Sequence, residues 1–107
     1  LEELTLHSTR IGDRGLKPLE GLKRLQVLDL AETAIGDGGM VYISGLEHLE
    51  TLELDNTRIG DKGVFHLKSL SRLRRLTLPH TLVTDGMTPA GFRELRQLLP
   101  GCMVEGD

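Results

Sequence analysis

Leucines recur along this chain at a fixed spacing. Leu1, Leu4 and Leu6 are followed by Thr9 and Ile11. The same order returns at Leu25, Leu28, Leu30, Thr33 and Ile35, then at Leu49, Leu52, Leu54, Thr57 and Ile59. A fourth passage runs Leu73, Leu76, Leu78, Thr81 and Val83. The second half of each unit also keeps register. Asp13-Arg14-Gly15-Leu16 matches Asp37-Gly38-Gly39-Met40 and Asp61-Lys62-Gly63-Val64. Leu19 and Leu22 then match Ile43 and Leu46, and Leu67 and Leu70.

Two periodicities sit inside one unit. Leu4 and Leu6 are two apart, so they share one face of a strand. Leu16, Leu19 and Leu22 are three apart, which suits one face of a short helix or 3₁₀ segment. The spacing predicts four parallel strands centred near Leu4, Leu28, Leu52 and Leu76, each followed by a helical segment. A strand and a helix this short cannot bury both apolar faces alone. Stacked units bury them against one another.

The fourth unit departs from the pattern after Asp85. Thr88-Pro89 reads as an N-cap followed by proline at the first helical position. Phe92, Leu95, Leu98 and Leu99 predict an amphipathic helix from about Pro89 to Leu99, ended by Pro100-Gly101. Cys102-Met103-Val104 adds a stub of strand. This end reads as a closing cap over the last leucine layer. Nothing comparable precedes Leu1, so the face around Leu1, Leu4 and Leu16 is expected to be bare. Upstream residues of a larger chain, or self-association through that uncapped end, would cover it.

The pattern L-x-x-L-x-L-x-x-T-x-[IV]-x-D-x-G-[LMV] resembles the leucine-rich repeat family, whose consensus carries Asn or Cys where this chain has Thr. The Asp-x-Gly tail is similar to the cysteine-containing subclass, and 24-residue units with Thr are similar to its bacterial relatives. The resemblance implies an α/β fold: a right-handed solenoid, a horseshoe segment of four repeats with a parallel sheet on its concave face. The repeats are 1–24, 25–48, 49–72 and 73–107, the last with the C-terminal cap, in one domain over 1–107. The implied function is a non-catalytic module that binds a protein or peptide on the concave face, within a larger chain. The alternative is a substrate-recognition segment of a ubiquitin-ligase-type or effector protein.

The framework residues have physical roles. Thr9, Thr33, Thr57 and Thr81 sit where the chain leaves the strand, and their hydroxyls can serve turn backbone groups. Stacked copies are expected to form a ladder between repeats. Asp13, Asp37 and Asp61 precede apolar helical segments and are the residue type expected at an N-cap; a row of carboxylates for a metal is the rival reading. Gly15, Gly39 and Gly63 are expected to permit tight packing or an unusual turn. No Lys-Ser/Thr follows them, so they are no phosphate loop.

Composition narrows the function classes. The net charge is −3, with both signs plentiful, so nothing draws the chain toward nucleic acid or anionic membrane. Tyr42, Phe65 and Phe92 are the only aromatics, too few for a base-stacking platform. Cys102 is the only cysteine. It excludes an intrachain disulfide and a multi-thiolate zinc site, and it favours a reducing, cytoplasmic setting. No apolar run approaches the roughly 20 residues of a membrane span.

The search for chemistry finds no constellation. His7 and His80 belong to units about 14 Å apart across three strand spacings, too far to share a metal. His48 and His66 fall in the helical half, and each histidine reads as solvated surface. Cys102 reads as a small apolar filler. No catalytic, cofactor or metal residue is assigned.

The outward positions of the strands are Glu3, Thr5 and His7; Val27, Asp29 and Ala31; Thr51, Glu53 and Asp55; and Arg75, Thr77 and Pro79. Ser8, Glu32, Asn56 and His80 come just after. Asp29, Glu32, Glu53 and Asp55 make an acidic centre, and Arg72, Arg74 and Arg75 a basic corner. The candidate partner site is Asp29, Glu32, Glu53 and Asp55 with Arg75 at its edge, suited to a basic protein or peptide. An ordinary solvated charged face is the competing reading.

Overall fold

Each leucine passage becomes a three-residue strand. In the computed structural model, which describes residues 2–78 and 87–106, β1 is Glu3–Thr5, β2 Val27–Asp29, β3 Thr51–Glu53 and β4 Arg75–Thr77. A fifth strand, β5, follows at Met103–Glu105. The five form one parallel sheet in sequence order. Leu4 lies opposite Leu28, Leu28 opposite Leu52, Leu52 opposite Leu76, and Leu76 opposite Val104. Like therefore stacks on like. The register is set by the leucine period, because a slip of one residue would turn every leucine out to water.

The return path to the next strand is helical and short. It is a 3₁₀ segment at Asp13–Gly21 in the first unit. In the second it is a 3₁₀ turn at Asp37–Gly39 running into α1, Met40–Ile43. In the third it is α2, Asp61–Phe65, running into a 3₁₀ segment at His66–Ser69. Pro18 lies inside the first segment, where its missing N–H rules out a regular α-helical ladder. The last helix, α3, spans Pro89–Leu98. Thr88 is its N-cap, accepting the Gly91 N–H, with proline in the first turn as the Thr-Pro pair predicts. Among the described residues no helix is long and apolar enough to cross a membrane.

The core lies between sheet and helical segments. Leu28, Leu30, Ile35, Leu52, Leu54, Ile59 and Leu76 are wholly buried, as are Leu16, Met40, Ile43, Leu46, Leu67 and Leu70. At the C-terminal side Phe92, Leu95, Leu99 and Val104 are buried against the same cluster, while Leu98 stays exposed. Cys102 is half-buried beside it, and burial pushes its thiol up from the ordinary range. At the other side Leu4, Leu6 and Ile11 are only partly buried. Leu16 departs from the expectation of an open face there: its own unit and the next enclose it completely. The expected roles of Leu1, Pro79, His80, Thr81, Val83 and Asp85 lie outside the described residues.

Two framework roles differ from those the sequence predicts. Among the described residues the threonine hydroxyls form no ladder between units. Thr9, Thr33 and Thr57 each donate to the carbonyl three residues back, Leu6, Leu30 and Leu54, at 2.8, 2.8 and 2.6 Å. The residue between, Ser8, Glu32 or Asn56, has φ near +57° (59, 56 and 56°). That left-handed residue reverses the chain after the strand, and the threonine closes the turn over the freed carbonyl. The sequence conceals the left-handed position because only Asn56 is a residue type that favours it.

The aspartates do not cap their own helices. The N-cap residues are Gly12, Gly36 and Gly60, and none of these helices has a side-chain cap of its own. Each carboxylate instead reaches the following unit. Gly36 N–H donates to Asp13 Oδ1 at 2.7 Å. Gly60 N–H and Gly63 N–H donate to Asp37 Oδ1 at 2.7 and 3.0 Å. The Thr88 N–H and hydroxyl donate to Asp61 at 3.0 and 2.6 Å. The Asp-x-Gly glycines make room for this. A Cβ on Gly39 would stand 2.9 Å from Asp13 Oδ1, and one on Gly63 2.5 Å from Asp37 Oδ1. A Cβ on Gly91 would collide with Asp61. Aspartate and glycine are thus two halves of one contact between successive units.

Candidate interaction surface

The outward face of the sheet carries the predicted acidic centre. Alternation along each strand puts leucine inward and its neighbours outward. Asp29 and Glu53 stand opposite each other in the β2–β3 register, flanked by Thr5 and Thr77 in the same row. Asp55 lies two residues on from Glu53. Ala31, predicted to face outward beside it, is buried.

Three of the four acids have partners outside the acidic centre. Asp29 Oδ1 accepts the Ala31 N–H at 3.0 Å, and Asp55 Oδ1 accepts the Thr77 hydroxyl at 3.0 Å. Glu32 stands apart from the centre. Its carboxylate turns toward the first unit, meeting His7 Nε2 at 2.9 Å and the Ser8 hydroxyl at 3.3 Å. Glu53 is the strained member. Partial burial pushes its carboxyl above the ordinary glutamate range, and so do a hydrogen bond with Asp29 and the charges of Asp29 and Asp55; Arg75 pulls the other way. A hollow of about 340 Å³ opens beside it, lined by Glu53, Asp55, Arg75, Thr77 and Glu105 among others.

The basic corner does not hold together as one patch. Arg75 pairs with Glu105 of β5 at 3.7 Å and Arg74 with Glu50 at 3.8 Å. Arg72 donates to His48 Nδ1 at 2.7 Å. Each arginine serves a different neighbour, and all three are exposed. Glu105 is the participant that sequence reasoning missed, because its strand lies outside the repeat pattern. His7 and His48 are exposed but engaged. Among the described residues no group of three His, Cys, Asp or Glu side chains is placed to hold a metal.

Residues 23–44 and 45–68 match a family model, Leucine Rich repeat. The match supports a leucine-rich repeat chain. No curated protein matches it. Leucine-rich repeats imply a solenoid-type fold, and the parallel sheet of stacked units agrees with that. Such repeats are in general protein–protein interaction modules, which gives the exposed sheet face its context.

Proposed function

We propose that this chain is a non-catalytic interaction module that binds a basic protein or peptide on the outward sheet face, taken as the concave face of a four-repeat horseshoe. The domain on this reading is 1–107, with α3 and β5 as its closing cap. Asp29, Glu53 and Asp55 form the centre of the site, Glu32 stands at the first-unit side and Arg75 at the opposite edge. One observation carries the reading. Asp29 and Glu53 are paired across adjacent strands with Asp55 beside them, and the pairing works against ionisation of Glu53. Like charges directly opposed are a cost to the fold. A cation seated between them removes that cost.

The probe is a lysine-rich peptide, with a glutamate-rich peptide of equal length as control. Anisotropy titrations are expected to show binding of the first only, weakened by salt. The double variant Asp29→Asn, Glu53→Gln keeps the shapes and the Asp29 acceptor oxygen. It is expected to retain or slightly raise stability and to weaken binding. Unchanged binding of the double variant at low salt would reduce the acidic centre to a solvated face.

A further inference from the structure

The helical side of the fold has a hollow of about 120 Å³ between α2 and α3. Buried Val64 and Leu95 line it, and so do Phe65 and Leu98, which are 49% and 41% exposed. Ala90, Gly91 and two acids, Asp61 and Glu94, complete the lining. The gap follows from the first turn of α3. Gly91 cannot carry a side chain, because a Cβ there would collide with Asp61. Ala90 beside it brings only a methyl group. One turn on, the chain places an exposed glutamate, Glu94, rather than an apolar residue.

The core does not require Phe65. Along the repeat its position is that of Lys17 and Val41, each one residue after a buried Leu16, Met40 or Val64. Lys17 and Val41 are exposed as well. Lysine therefore satisfies the fold at this position, yet the third unit places one of the chain's three aromatics there. Lys68 Nζ stands 3.9 Å from the ring centroid, so the ring already receives a cation. Lys68 itself does not line the hollow, and both charged residues that do are acids. Glu94 has no hydrogen bond or ion pair among the described residues.

We infer that this hollow docks a cationic amphipathic segment of a partner protein. One leucine-sized side chain of the segment enters beside Phe65 and Leu98, and a neighbouring lysine or arginine meets Glu94. Size decides the apolar part. A cavity of roughly 150 Å³ lined by Leu, Ile and Phe holds one benzene, so this hollow has room for a single side chain. Charge decides the rest. Acids around an apolar hollow repel an anionic lipid surface and favour a cation. A groove between two helical segments is also a common seat for an amphipathic peptide. The site lies on the helical side, away from the acidic centre of the sheet, and does not depend on it.

The probe is a fluorescent leucine–lysine peptide, with a control of equal length and charge in which serine replaces leucine. Both are titrated into the unmodified chain and into the Asp29→Asn, Glu53→Gln variant, where the sheet face contributes little. The variant is expected to bind the leucine peptide and not the control. In either chain the leucine peptide is expected to shift the methyl signals of Val64, Leu95 and Leu98. Phe65→Lys, which copies the residue of the first unit, and Glu94→Lys are each expected to weaken this binding by about tenfold or more. Both positions are exposed, so urea midpoints are expected to stay near that of the parent chain. Equal binding of the two peptides to the sheet-face variant, unmoved methyl signals, or affinity that survives Phe65→Lys overturns the inference. So does sedimentation of the unmodified chain as a dimer that Phe65→Lys dissociates, which would assign the hollow to a second copy. None of these outcomes decides whether the sheet-face acids bind the lysine-rich peptide.

Discussion

Asp37 offers the sharpest test of how the units are joined. Its Oδ1 accepts two N–H groups from the following unit, and both donors belong to buried glycines. Asp37→Ala strands both. Each lost hydrogen bond to a charged acceptor costs about 1.5–3 kcal/mol. Water can enter part of the space, because Asp37 is itself only half-buried. The expected total is about 2–4 kcal/mol in urea melts. Asp37→Asn keeps an acceptor oxygen in place and is expected to cost about 1 kcal/mol. Gly63→Ala attacks the same contact from the other side, with its Cβ 2.5 Å from Asp37 Oδ1 and 3.1 Å from Asp37 Cα. The two substitutions should therefore couple. Gly63→Ala is expected to cost less in the Asp37→Ala background, by about 1–3 kcal/mol, though not to become free because the backbone contact persists. Additive costs in the double-mutant cycle would refute the contact across units and return Asp37 to a role within its own helix.

Three further outcomes follow from the same geometry. Thr57→Val leaves the Leu54 carbonyl without its donor and is expected to cost about 1 kcal/mol, against about 2–5 kcal/mol for Leu52→Ala, which opens a cavity in a wholly buried layer; the reverse ranking in denaturant melts would mean that strand and turn are misassigned. Glu53 binds its proton more tightly in the folded chain, so its ionisation opposes folding at neutral pH, and stability is expected to rise as pH falls through its raised pKa toward the ordinary glutamate value. Glu53→Gln should flatten that rise in pH-dependent melts, and an unchanged profile would place the titration elsewhere. Glu32 holds φ of 56°, where glycine is unstrained, and its contacts with His7 and Ser8 are exposed; Glu32→Gly is expected to be neutral or stabilising by up to about 1 kcal/mol in thermal melts, and a clear loss would show that the surface contacts outweigh the strain.

The acidic cluster was legible only in part. Alternation along β2 and β3 was enough to place Asp29, Glu53 and Asp55 together, since a strand leaves a side chain only two directions. Glu32 follows the strand at a left-handed residue, and that turn sends its carboxylate to His7 rather than to Asp29. Arg75 was placed correctly on the outward face, but its partner Glu105 comes from a strand outside the period. Ala31 shows the limit of alternation: it is outward by count and buried in fact.

The sequence by itself determined the strands, their order and their register, because a repeated leucine spacing has only one way to bury every layer. It determined α3 as well, through Thr88, Pro89 and the apolar stripe of Phe92 and Leu95. Tertiary structure alone decided which unit each polar framework group serves. Asp37 looks like a cap for the helix it begins, and only the stacking distance turns its carboxylate to Gly60 and Gly63. Thr33 and Thr57 look able to bridge units, and only the left-handed turn before them draws their hydroxyls back to Leu30 and Leu54. The physical reason is range. Apolar burial depends on which face a residue occupies, which spacing fixes, whereas a hydrogen bond depends on tenths of an ångström that the packed units set together.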